Sequence, residues 1–139
     1  MTVMPDDSAH VKHFVKETLG CQCADAVFAH IETARVVGED RGRLPILRIV
    51  VGRRLLIYLL ERDAMEELAT AMASLLRQGR RERDDNHYNR FRLVLTAPLS
   101  AAVRVAAEAL FRTLPEADER VHLHVIEPSE IPALLRAPR

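Results

Sequence analysis

The chain has 139 residues, 48% hydrophobic and 29% charged, and its 20 basic and 20 acidic side chains cancel to a net charge of zero. That length suits one domain with a real core, so residues 1–139 are read as a single unit needing neither disulfide nor metal to fold. The charge balance excludes a disordered polyelectrolyte and a globally basic nucleic-acid binder, and an aromatic content of 4% with no tryptophan excludes a broad base-stacking platform.

The N-terminal stretch MTVMPDDSAHV has no basic segment followed by an apolar run, and no segment approaches the roughly 20 apolar residues of a membrane span. The expectation is a cytoplasmic protein without a membrane partner. Lys12 and Lys16 are the only lysines, and a chain rich in arginine and alanine is the mark of a GC-rich bacterial genome before it is evidence of phosphate binding.

The first element reads as a helix capped by Ser8, with Val11, Phe14, Val15 and Leu19 as its apolar stripe and Gly20 as its stop. His10, His13 and Glu17 share the other flank, within about 60° of one another at 100° per residue. Cys21 and Cys23, the only two cysteines, follow the stop, and a short helix is expected from about Ala24 to Ala29. The chain then extends from Ile31 to Val37. GEDRG, 38–42, is a polar turn, and LPILRIVV and RRLLIYLLE are two apolar runs joined by a tight hairpin at Gly52. Their hydrophobicity exceeds that of a sheet wet on one face, so either both faces are covered or an interface covers the second.

Asp63 is expected to open a helix carrying Met65, Leu68, Ala69, Met72, Leu75 and Leu76 and ending near Gly79, followed by a charged loop, RRERDDNHYNR. Strand FRLVLTA, a Ser100-capped helix with Val103, Ala106, Ala107, Leu110 and Phe111, strand VHLHVIE and a short helix around Ile131 to Leu135 complete the order. The fold class is α/β, with α+β as the alternative: a mixed sheet of about five strands, an antiparallel meander followed by two right-handed β-α-β crossovers, with helices packed on the sheet.

Candidate chemistry gathers at HVKHFVKETLGCQC. His10, His13, Cys21 and Cys23 are four ligand types suited to zinc or iron. Cys21 nevertheless lies about 16 Å from His10 along a helix axis, and a one-residue gap between cysteines is shorter than zinc fingers use. Cys21 and Cys23 are also thiol-redox candidates: a helix beginning near Ala24 places Cys23 where backbone N–H groups stabilise a thiolate, and a bridge between the two closes a small, easily reduced ring. Two packed, inert thiols are the plainer alternative. Arg77, Arg80, Arg81 and Arg83 form a basic stretch, but the interspersed Glu82, Asp84 and Asp85 favour local ion pairs over nucleic acid. Asp84, Asp85 and His87 can also be written as a metal set. His122 and His124 share one face of the last strand, opposite Val121, Leu123 and Val125, where such a pair chelates a metal or lines a pocket at a sheet edge.

No nucleophile elbow, phosphate-binding glycine loop, dinucleotide fingerprint or HExxH motif occurs, so no catalytic set is legible. The functional expectation is action by protein association, as a homo-oligomer or with a protein partner, resting on the two apolar runs. The alternative is a thiol-redox or metal protein centred on Cys21 and Cys23.

Overall fold

The computed structural model describes residues 5–20, 25–38, 44–63, 68–96 and 101–132. It is an α/β fold with a five-stranded mixed sheet in the order β1-β2-β3-β4-β5. The elements are α1 (Pro5–His13), a π-helical turn (Phe14–Thr18), a 3-10 turn (Asp25–Ala29), β1 (Ile31–Val37), β2 (Pro45–Val51), β3 (Leu55–Asp63), α2 (Leu68–Asp85), β4 (Arg90–Thr96), α3 (Ala101–Thr113), β5 (Val121–Ile126) and a 3-10 turn (Pro128–Glu130). β1, β2 and β3 pair antiparallel, and β4 and β5 add in parallel through α2 and α3.

Both faces of the apolar meander are covered within the chain. On one, Leu47, Ile49, Val51, Ile57 and Leu59 meet Val11, Phe14, Val15 and Leu19 of the N-terminal segment, together with Phe28. On the other, Ile46, Val50, Leu56, Tyr58 and Leu60 meet Ala71, Met72, Leu75 and Leu76 of α2. α2 and α3 both pack on one side of the sheet, and the N-terminal helical segment supplies the other layer.

Local chemistry explains the joints. Gly52 (φ +60°) and Arg53 (φ +56°) are the left-handed pair of a tight hairpin turn, closed by Arg54 N–H donating to the Val51 carbonyl at 3.0 Å. A Cβ on Gly52 would sit 2.7 Å from the Val27 carbonyl oxygen, because the turn packs on the 3-10 segment. The α1 stripe is buried as its spacing predicts, with His10, His13 and Glu17 exposed. Helix formation begins at Pro5, however, so Ser8 lies inside the helix rather than at its cap.

Two other expectations are corrected. Asp63 ends β3 instead of opening a helix. A 3-10 turn forms at Pro128–Glu130, and most of the last helix expected around Ile131 to Leu135 lies outside the described residues. The helix does not stop at Gly79, and the first part of the expected charged loop, RRERDD, is the end of α2. A Cβ at Gly79 would lie 2.1 Å from Phe91 Cζ, so this glycine makes room for a buried ring. That ring packs edge-to-face on Tyr58, with centroids 4.9 Å apart. The actual stop is a Schellman motif: His87 N–H donates to Asp84 O and Tyr88 N–H to Arg83 O, with His87 in the left-handed region at φ +59°. Of the turn expected at 38–42 all but Gly38 lies outside the described residues, as do Met65 and Ser100.

Candidate functional site

The basic stretch at the end of α2 is largely occupied with holding the fold together. The buried Arg83 guanidinium donates to both oxygens of Asp118 at 2.9 and 2.8 Å and also reaches Asp84, a fork-to-carboxylate geometry that ties α2 to the segment entering β5. These bonds from Arg83 hold the Asp118 carboxyl below its ordinary range. Arg80 lies 3.4 Å from the same carboxylate, and Arg77 is 3.9 Å from Glu116. Glu82 accepts from the Tyr58 hydroxyl and from Arg48. Arg81 lines a cleft of about 230 Å³ with Tyr58, Gln78, Glu82, Asp85 and Asn86. A second cleft, about 260 Å³, is lined by Arg83, Asp84, His87, Tyr88, Asn89 and Arg120. It sits where β4 and β5 begin, the end of parallel strands opposite the one that ligands of open α/β sheets favour.

The metal and redox candidates are not brought together by the described structure. His10 and His13 are exposed on α1, and Cys21 and Cys23 lie outside the described residues. Among those residues no group of three or more histidine, cysteine or carboxylate side chains could hold a metal ion, so Asp84, Asp85 and His87 do not form the set their spacing allows. No described helix is long and apolar enough to cross a membrane.

A different cluster does converge. Arg90 and Arg92 on β4, and His122 and His124 on β5, alternate with apolar neighbours, and the parallel register sets Arg92 against His122 and Val94 against His124. Equal parity turns all four side chains to the sheet face that α1 covers nearer the meander. Arg90 Nη1 lies 3.1 Å from His122 Nε2, and Arg92 Nη1 lies 2.9 Å from His124 Nε2. Arg92 Nη1 also donates to the Leu19 carbonyl at 3.0 Å, so this guanidinium closes the C-terminal end of the first helical segment, where a cation is favoured.

Because a guanidinium only donates, each Nε2 must accept, and the proton of each neutral imidazole resides on Nδ1. Burial, then the charge of Arg92, pushes His124 down to about 4, and burial followed by Arg92 and Arg90 also lowers His122 against an opposing pull from Asp118. Arg92 is 8% exposed, and its Nε is buried without a hydrogen-bond partner. Among the described residues neither Arg90 nor Arg92 pairs with a carboxylate. The result is a set of donors with unspent capacity.

His122 and His124 were legible in the sequence as a same-face pair, but their partners were not. Arg90 closed the expected charged loop and Arg92 lay in the expected strand FRLVLTA, and only laying RFRLV beside VHLHV in parallel register discloses the common face. Pairing with arginine occupies the Nε2 lone pairs that a metal would need.

No protein-family model matches the sequence, and no curated protein and no solved structure is significantly similar to it.

Proposed function

We propose that the protein acts by association and pairs with a second copy of itself through the margin formed by β5 and α3. The observation that carries this reading is the edge of β5. Among the described residues this strand has a neighbour on one side only, and its sequence Val121-His122-Leu123-His124-Val125 reads the same in both directions. Antiparallel pairing about a two-fold axis at Leu123 therefore matches Leu123 with itself, His122 with His124 and Val121 with Val125, which is the self-complementarity that a symmetric dimer requires. β5 has no side chain that is charged at neutral pH by its ordinary pKa and no proline, the two commonest means of keeping edge strands apart.

The neighbouring helix supports the same margin. Ala107, Leu110 and Phe111 turn α3 toward the sheet. Ala102, Val105, Ala106 and Ala109 are exposed, within an arc of about 100°, and Val105 is 63% exposed. Short side chains let two such helices approach closely. The apolar meander, whose two faces are already covered, need not take part.

Light scattering with sedimentation velocity at micromolar concentration tests the proposal. A dimer is the expected result, and a monomer throughout that range contradicts it.

A further inference from the structure

We propose that Arg90, Arg92, His122 and His124 form a binding site for a phosphate-type oxyanion. The inference is independent of self-association, because all four residues come from adjacent strands of one chain. All four side chains lie on one face of the sheet. Arg90 and Arg92 can only donate, and their bonds to the two Nε2 atoms leave each imidazole with an Nδ1–H still to place.

Beyond the two Nε2 atoms the cluster holds donors only, which leaves its hydrogen bonding incomplete. Its one described acceptor from outside the cluster is the Leu19 carbonyl, which takes a single bond from Arg92 Nη1. Arg92 is more than nine-tenths buried, and its Nε is without a partner. Such a buried guanidinium is ordinarily matched by a carboxylate, and Arg83 in this same molecule, with its fork on Asp118, is an example. At Arg92 that anion is missing from the described residues, and an external oxyanion completes the set. Arg90 is exposed and both imidazoles are half-buried, so this part of the sheet face reaches solvent.

Two guanidinium groups facing one ligand favour a dianion over chloride or a monocarboxylate, and phosphate offers acceptors in several directions at once. A bound metal ion is the wrong occupant, because two fixed positive charges oppose it and both Nε2 atoms are engaged. The shared chemistry is the phosphate group, supplied either free or as a small phosphate monoester.

The test is a titration of the full chain with inorganic phosphate, and in parallel with phosphorylethanolamine, at constant ionic strength held by chloride. The readout is the imidazole ¹H–¹⁵N resonances of His122 and His124. Saturable shifts with either probe are expected. They should require a roughly tenfold higher concentration in Arg90→Gln, from loss of one charge-assisted contact. That variant changes an exposed residue which does not hold the Leu19 carbonyl, so its unliganded melting temperature should match the parent. Saturation by inorganic phosphate alone assigns a free-anion site, and saturation by the monoester at lower concentration assigns a phosphorylated small molecule. Shifts that do not saturate with either probe, that chloride reproduces, or that are unchanged in both Arg90→Gln and Arg92→Lys overturn the proposal.

Discussion

β1 and β5 both terminate the sheet, yet they are finished differently. The β1 edge carries exposed Glu32 and Arg35 along its length, charges that make a second strand costly to add. The β5 edge has none at neutral pH by ordinary side-chain pKa values, repeats its own pattern in reverse, and is backed by two arginines that lack carboxylates among the described residues. A single sheet therefore has one edge built against pairing and one compatible with it. The proposed self-association and the proposed anion site therefore fall on the same side of the molecule.

A matched pair of substitutions gives the largest expected effect. Val105 on α3 and Val37 on β1 are the two large hydrophobic residues exposed among those described, at 63% and 54%. Val105→Glu should weaken self-association about a hundredfold or more, since a symmetric interface would bury the new charge twice. Val37→Glu should leave it unchanged, and sedimentation velocity on both variants reads the contrast. Equal effects would erase the distinction between the margins.

Removing the anchor of β5 comes next. Asp118→Ala leaves the buried Arg83 with Asp84 as its remaining carboxylate and should cost about 2 kcal/mol in urea-induced unfolding. A loss under 1 kcal/mol would mean that the fork adds little to the position of β5.

The β5 side should also respond to acid. His124 is pushed down to about 4, whereas an unfolded chain titrates it near about 6.5. Its neutral form therefore supports the fold fully above the unfolded value, and this contribution is lost as pH falls toward 4, because the unfolded chain takes up the proton first. Between pH 7.5 and pH 5 the loss is about 2 kcal/mol. In His124→Asn this component of the pH dependence should vanish, and an unchanged slope would contradict the assigned burial.

The smallest effect lies at the helix stop. His87 occupies a left-handed position that glycine holds without steric cost, so His87→Gly should stabilise by about 1 kcal/mol. A destabilised variant would instead assign the imidazole a contribution in the cleft it lines.

The strand order and the alternating burial were legible because long apolar runs and their punctuation record them directly. LPILRIVV and RRLLIYLLE signalled cover on both faces, and the chain provides it. Gly79 misled for a physical reason. Glycine inside a helix reads as a stop when local propensity is all that is visible, whereas here a ring 12 residues downstream in sequence, Phe91, needs the space. Arg83 and Asp118, 35 residues apart, form a pair for which no periodicity speaks. The arginine and histidine cluster depends on the register between β4 and β5, a property of tertiary pairing that neither strand encodes alone.

Amide hydrogen exchange resolved along β1 and β5 tests the central claim most directly, because it compares the two edges within one molecule. Alternate amides of β5 that do not reach β4 should become protected as protein concentration rises through the association range, while the outward amides of β1 stay fast. Outward amides on β5 that exchange as fast as those of β1 at every concentration would contradict the account.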